Sequence, residues 1–336
     1  MRHWLEARGY VVQEQRFSFQ PAALSAFPLV GAGLGWLTLI QLPLLTFASV
    51  PPWAALAVWL AGVLALGLLA WGIGSGTRVP GAEQREDANL IARPPGGAPV
   101  RRWLVAHLDS KAQGHSMAGR LVAVWVLAAA VLTLTGLAAA RLLGGGPLGH
   151  VPVAAGAGLA LAAGGLAARG RLKGGSHGAR DNGTGLLAAL EAAGGAPVPG
   201  VGILVTGAEE FGLMGARALL AGGLAVAGTE VINLDTIADR GDLSVVIHDP
   251  AHRPLAERLA AALAVVGPQV AVRRLPVGIL VDSVPLAHAG AAAVTIGRLD
   301  WSVLRVLHTP RDTLDGLDLG TARAVGRALA GLAPPR

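Results

Sequence analysis

Residues 21–77 contain not one charged side chain, a run of 57 positions in a protein of 336. About 20 consecutive apolar residues cross the hydrocarbon core of a bilayer as a helix, so the run accommodates two crossings with a turn between them. SVPPW at 49–53 supplies the turn, because consecutive prolines cannot continue a helix. The expected spans lie near 28–48 and 54–74, with Trp53 and Trp71 as anchors at the membrane surface. Two further uncharged runs follow at 121–140 and 142–168, joined through RLLGGGPLGH at 141–150. The second of these is largely Gly and Ala and depends on close packing against its neighbours. The alternative is that the runs are buried core helices of a soluble protein.

The remaining composition narrows the chemistry. With no cysteine, the chain has neither a disulfide framework nor thiolate ligands, and any metal falls to His, Asp or Glu. The formal charge is +6, yet Lys and Arg form no stripe with interleaved aromatics, which argues against nucleic acid as a partner. Arg16, Arg78, Lys111, Arg120, Arg169, Arg171 and Lys173 instead flank the apolar runs. Two hairpins return the chain each time to the side it left. Residues 1–20, 78–116 and 170–336 are therefore expected to form one discontinuous domain, with 21–77 and 117–169 as transmembrane hairpins. The basic flanks lie on the domain side, which the positive-inside rule makes cytoplasmic. The opening MRHWLEARGYVVQEQRF has mixed charge and alternation and does not read as a secretory leader.

The polar segments alternate between strand and helix patterns. Strands are expected at 10–19, 101–108, 201–206, 231–235, 242–248, 269–275 and 291–297, and helices at 182–195, 211–223, 252–265 and 320–332. Such alternation argues an α/β fold, a sheet covered on both faces by helices. Ligands in sheets of this kind bind beyond the carboxyl ends of the strands. His107, Asp109, Glu209, Glu210 and Asp235 all stand at those ends.

Five short segments collect the acids and histidines: AHLDS (106–110), GARDNGTG (178–185), GAEEFG (207–212), INLDT (232–236) and HTPRDTLDGLD (308–318). Together they offer imidazoles and carboxylates in the numbers that a pair of divalent cations needs. Two such cations about 3.5–4 Å apart form a recurring hydrolytic centre. A carboxylate that ligates no metal is then required as general base. His-x-Asp spacing also suits an acid that fixes the imidazole's tautomer. Each segment alone reads equally as a cap, a turn or a strand end.

In this order the segments resemble the co-catalytic di-zinc aminopeptidases, relatives of glutamate carboxypeptidase, glutaminyl cyclase and the peptidase-like part of the transferrin receptor. The resemblance extends to LEARGYVVQEQRF (5–17), ANLIARPPG (88–96) and DSVPLAHAGAAAVTIG (282–297). It implies a zinc exopeptidase fold, a mixed and mostly parallel sheet between helical layers, interrupted here by four transmembrane helices. It implies two Zn2+ per chain: His107, Asp181 and Asp235 on one, Asp181, Glu210 and His308 on the other, with Asp181 bridging. Asp109 would orient His107. Glu209 would take a proton from the attacking water held between the metals and pass it to the leaving amine. The implied activity is a membrane-embedded, multi-pass peptidase acting on N-terminal peptide bonds, with peptide substrate and lipid bilayer as partners.

Three departures bear on this. Seventy-one residues separate Asp109 from Asp181, a gap that holds the second hairpin and reads as a loop insertion. Leu307 stands where some relatives carry a tyrosine that stabilises the tetrahedral intermediate. No residue is an evident receptor for a free α-amino group. Two alternatives remain open: an inactive peptidase-like membrane scaffold, and a glutaminyl cyclase-like acyltransferase using one zinc. Oligomeric state leaves no mark in the sequence.

Overall fold

A computed structural model describes residues 1–336 apart from 22, 75–80, 82, 238, 268–269 and 336. Arg78 and the first residue of the expected strand at 269–275 lie outside the described residues.

In chain order the elements are α1 (Arg2–Glu6), β1 (Val11–Phe19), α2 (Ala23–Thr46), α3 (Pro52–Gly74), β2 (Arg85–Arg93), β3 (Arg102–His107), α4 (Met117–Gly144), α5 (His150–Ala168) and α6 (Thr184–Ala193). They continue with β4 (Val201–Thr206), α7 (Met214–Ala221), β5 (Glu230–Leu234), β6 (Leu243–Ile247), α8 (Arg253–Leu263), β7 (Ala271–Arg274), α9 (Ser283–His288), β8 (Ala292–Arg298), α10 (Trp301–Leu304) and α11 (Gly320–Ala330). The chain divides into two units, one of Met1–Phe19, Gln84–Ala112 and Gly174–Arg336, the other of Gln20–Glu83 and Gln113–Lys173.

The first unit is built on an eight-stranded sheet of order β1-β2-β4-β3-β5-β8-β6-β7. Strands β4, β3, β5 and β8 run parallel, as do β6 and β7, while β1, β2 and the β8–β6 pairing are antiparallel. The expected mixed, mostly parallel sheet is present. Every residue of β3, β4 and β5 is buried, as a sheet covered on both faces requires. Alternation along β3 divides the core. Leu104 and Ala106 join a cluster with Ala188 of α6, Leu259 of α8 and Val325 of α11. Trp103 and Val105 join another with Ala216 and Leu219 of α7 and Leu286 of α9. Because β3, β4 and β5 are parallel, their carboxyl ends open on one edge.

The strand β2 was approachable from sequence only through the resemblance, because REDANLIAR is charged at its start and lacks clean alternation. It pairs with β1 over nine residues, Val11 with Arg93 through Phe19 with Arg85. β1 is thereby one edge strand of the sheet.

The second unit holds the four helices that are long and apolar enough to cross a membrane among the described residues: Ala26–Thr46, Pro52–Ile73, Met117–Gly144 and His150–Ala168. Leu34, Leu45, Trp59, Leu134 and Ala160 pack in its interior. The Gly/Ala richness of α5 has a steric reason. A Cβ on Gly164 would stand 2.8 Å from the carbonyl oxygen of Gly31, and one on Gly31 would meet Ala167 at 2.6 Å. The two backbones touch, as small residues allow in apolar helix pairs. Trp53 and Trp71 are exposed, at 63% and 72%.

Arg141 departs from the sequence reading, which placed it in the connecting segment at 141–150. It lies inside α4 and is buried, its guanidinium donating to the carbonyls of Leu44, Phe47 and Val50 at 3.3, 2.8 and 2.9 Å. These oxygens belong to the end of α2 and the turn after it, where the last helical carbonyls lack intrahelical donors. The cation therefore serves the α2–α3 turn.

Candidate metal centre

Each side chain of the five segments is delivered by a particular element. His107 is the last residue of β3. Glu209 and Glu210 form a short helical turn after β4, entered through Ala208 at φ 48. Asp235 follows β5, and His308 follows α10. Thr236 and His308 also hold positive φ, 56 and 61. Such left-handed backbone at ordinary residues is costly and gathers at functional sites.

Two other segments fix the turn that carries Asp181, whose peptide bond to Asn182 is cis. Asn182 Oδ1 accepts the backbone N–H of Gly185 and Thr236, both at 3.1 Å, and its amide donates to the Leu234 carbonyl at 2.8 Å. Asp312, fully buried, accepts the N–H of Arg180 at 2.8 Å and of Asp181 at 3.1 Å. Asn182 thus ties this turn to the end of β5, and Asp312 of HTPRDT holds its start.

The result brings all five expected ligands together. His107, Asp181 and Asp235 form one group and Asp181, Glu210 and His308 another, with ligand atoms in each within 4.8 Å of one another. Asp181 belongs to both. Its Oδ1 lies 3.1 Å from His107 Nε2 and its Oδ2 3.2 Å from His308 Nε2. His308 Nε2 is also 3.2 Å from Glu210 Oε2. His107, Asp181, Glu210 and His308 are buried.

Asp109 makes several contacts in this arrangement. Its carboxylate lies 3.6 Å from His107 Nδ1, whereas its main-chain oxygen is nearer, at 3.1 Å. The two carboxylate oxygens accept the backbone N–H of Glu209 at 2.9 Å and of Glu210 at 3.0 Å. Asp109 thus holds the glutamate turn, a contact the sequence reading did not foresee.

The electrostatics are those of acids crowded out of water. Burial raises the Glu209 carboxyl well above its ordinary range, and the neighbouring charges of Glu210, Asp282 and Asp235 add to this against the pull of His107. Burial also raises Asp235. For Asp181 burial is outweighed by hydrogen bonds to both imidazoles, which hold it below the usual carboxylate range. Glu210 is likewise lowered to about 2, burial being overcome by the charges of His308 and Lys111. Both imidazoles bind protons more tightly than usual: burial opposes this, but Glu209 and the carboxylates prevail at His107, and Glu210 at His308. Buried acids of this density attract positive charge, and two imidazoles with three carboxylates and no thiol suit zinc.

Two charged residues here escaped the sequence reading. Lys111, read there as a basic flank, is buried with Nζ 2.7 Å from Glu210 Oε2 and donates to the Glu210 carbonyl at 3.1 Å. Asp282, fully buried, accepts a hydrogen bond from the Thr206 hydroxyl, and burial pushes its carboxyl up to about 7. The signal for Lys111 was its place two residues after HLD, and for Asp282 its place in DSVPL. His177 is exposed, and His288 packs edge-on against His248, ring centroids 5.9 Å apart; neither joins a metal group.

Comparison with known proteins bears on the fold and the family. By fold the chain is similar to a Zn-dependent exopeptidase from Parabacteroides distasonis, at 13% identity over 98% of this chain and 85% of that one, TM-score 0.53. It is similar to an aminopeptidase from Aneurinibacillus sp. strain AM-1, at 14% identity over 98% and 84%, TM-score 0.51. The likeness to a glutaminyl cyclase from Porphyromonas gingivalis is 15% over 98% and 85%, TM-score 0.51. The chain spans about half the length, 51%, of the zinc aminopeptidase from Bacillus subtilis, at 18% identity and TM-score 0.45. Among curated proteins none matches the chain significantly. Residues 150–333, more than half of the sequence, match the model described as Peptidase family M28. The matched stretch includes Asp181, Glu209, Glu210, Asp235 and His308, and the chain belongs to peptidase family M28.

Proposed function

We propose that this protein is a membrane-embedded zinc exopeptidase that hydrolyses N-terminal peptide bonds. The observation that carries the reading is the sharing of Asp181 between two buried three-residue groups. His107, Asp181 and Asp235 would hold one zinc and Asp181, Glu210 and His308 a second. Zinc bound there supplies a Lewis acid for the scissile carbonyl and acidifies water. The chain's own residues do the rest. Glu209 lies beside these groups but belongs to neither, so its carboxylate is the one left to accept a proton and return it to the leaving amine. Asp109 keeps Glu209 and Glu210 in register through their amides, and its main-chain oxygen keeps His107 Nε2 directed at the carboxylates.

The four apolar helices support the membrane assignment. We read them as two hairpins inserted in loops of the peptidase domain (1–20, 78–116 and 170–336), with that domain on the cytoplasmic side, from the basic flanks Arg120, Arg169, Arg171 and Lys173. The test is a panel of N-terminally free, N-blocked and Gln-initiated peptides offered to the detergent-purified chain, with and without a chelator. Chelator-sensitive release of the first residue from free peptides alone supports the reading. Cyclisation of the Gln-initiated peptides in its place supports the acyltransferase, and no turnover with no bound zinc supports the scaffold.

A further inference from the structure

The two groups that share Asp181 are built differently. Around His107 the supporting contacts are complete: Nδ1 is 3.1 Å from the Asp109 main-chain oxygen, and the Thr236 hydroxyl donates to Asp235 Oδ1 at 3.0 Å. A second hydrogen bond of this kind fixes a ligating imidazole's tautomer and orientation. His308 has no such support, since its Nδ1 is buried without a hydrogen-bond partner among the described residues.

The carboxylates differ as well. Among the described residues Asp235 pairs with no Lys or Arg; its Oδ1 lies 3.9 Å from His107 Nε2. Glu210 is already engaged. Lys111 Nζ lies 2.7 Å from Oε2, the same oxygen that faces His308 Nε2 at 3.2 Å, while Oε1 is buried and unpartnered. The Lys111 side chain is 3% exposed, so little water screens it.

We infer that Lys111 is a built-in competitor for the second cation, so that the Asp181–Glu210–His308 site holds its zinc more weakly and exchanges it, while the His107–Asp181–Asp235 site retains its own. This rests on the zinc reading above. The ammonium holds the Glu210 oxygen that faces His308, and it repels a dication a few ångströms away, where a buried site damps charge far less than water does. It also compensates Glu210 when no cation is bound, which lowers the cost of release. Both effects act on one group only. The consequence is a centre whose second zinc follows the free zinc concentration around it.

The test is zinc content and affinity of the full chain in detergent, by metal analysis during chelator titration and by competition with a chromophoric chelator. Wild type should show two classes of zinc separated by about tenfold or more in Kd, the scale of one partly screened charge. His308→Ala should remove the weak class and keep the tight one. Lys111→Met should tighten the weak class by about tenfold or more and leave the tight class within about threefold. Should Lys111→Met fail to fold, Lys111→Gln retains a donor to the Glu210 carbonyl, and the wild-type and His308→Ala titrations decide independently. Two equivalent zinc sites in wild type, or a weak class unmoved in the Lys111 variants, would overturn the inference and leave the zinc reading intact. A wild type that binds no zinc at all would overturn that reading as well.

Discussion

Across 100 residues of sequence, the carboxylate of Asp109 accepts the backbone N–H of Glu209 at 2.9 Å. Its other oxygen takes the N–H of Glu210. The loop after β3 thereby positions the acid that follows β4. Asp109→Asn would present an NH2 to one of these amides, leaving a partly buried donor without an acceptor. We expect a loss of about 1–3 kcal/mol in stability and of about 10–100-fold in turnover. Thermal unfolding and peptide hydrolysis, measured on one preparation, check both.

If Asp181 is shared between two zinc ions, as proposed, metal losses should be unequal. Asp181→Asn should reduce bound zinc from about two per chain to near none, since both groups lose a ligand. Glu210→Ala should remove only the zinc held with His308. Metal analysis of the purified variants distinguishes these outcomes, and equal losses from both would contradict the assigned ligand sets.

A pH dependence follows from Asp282, whose carboxyl burial pushes up to about 7. An unfolded chain loses that proton near 4, so between about pH 4 and 7 the folded state binds one proton more and stability falls as pH rises. At most about 4 kcal/mol is involved, at 1.36 kcal/mol per unit. Asp282→Asn should therefore gain on zinc-free wild type as pH rises through this window and level off above it. Denaturation of both proteins at a series of pH values, without zinc, is the measurement; a constant difference would contradict the account.

In the helical unit, Arg141→Leu should strip donors from the carbonyls of Leu44, Phe47 and Val50. These bonds are partly buried, and the Phe47 carbonyl keeps the Val50 N–H, so the loss should be about 1 kcal/mol for each bond removed. The midpoint of denaturation in detergent should fall. Arg141→Lys should recover only part of the loss, because one ammonium cannot reproduce the planar fork. An unchanged midpoint would show that these contacts carry no weight.

Much of this was legible in residue order. The strands at 201–206 and 231–235 read as buried because each is an unbroken apolar run, and three of the five acid and histidine segments, those of His107, Glu209 and Asp235, stand where such strands end, whereas Asp181 sits on a turn before α6 and His308 follows α10. The spans read from charge-free length. What stayed hidden depends on pairing in space. Lys111 meets Glu210 across 98 intervening residues, so its role as a counter-ion had no local signature and it passed for a basic flank. Asp109 looked like a partner for the histidine two residues away, because the amides it accepts belong to another strand's end. Arg141 looked like a loop charge because hydropathy places an arginine at a helix end and cannot show three carbonyls waiting there. Strand β2, with four charged residues in REDANLIAR, is held by its pairing with β1 more than by any pattern of its own.

In the proposed mechanism Glu209 moves the proton while its neighbours hold zinc. Glu209→Gln tests it most directly, with zinc content and aminoacyl-peptide turnover measured side by side on detergent-purified wild type and variant. Zinc content should equal that of wild type and turnover should fall by about 100-fold or more, the scale of a lost general base. A variant that keeps its zinc and turns over at the wild-type rate would contradict it.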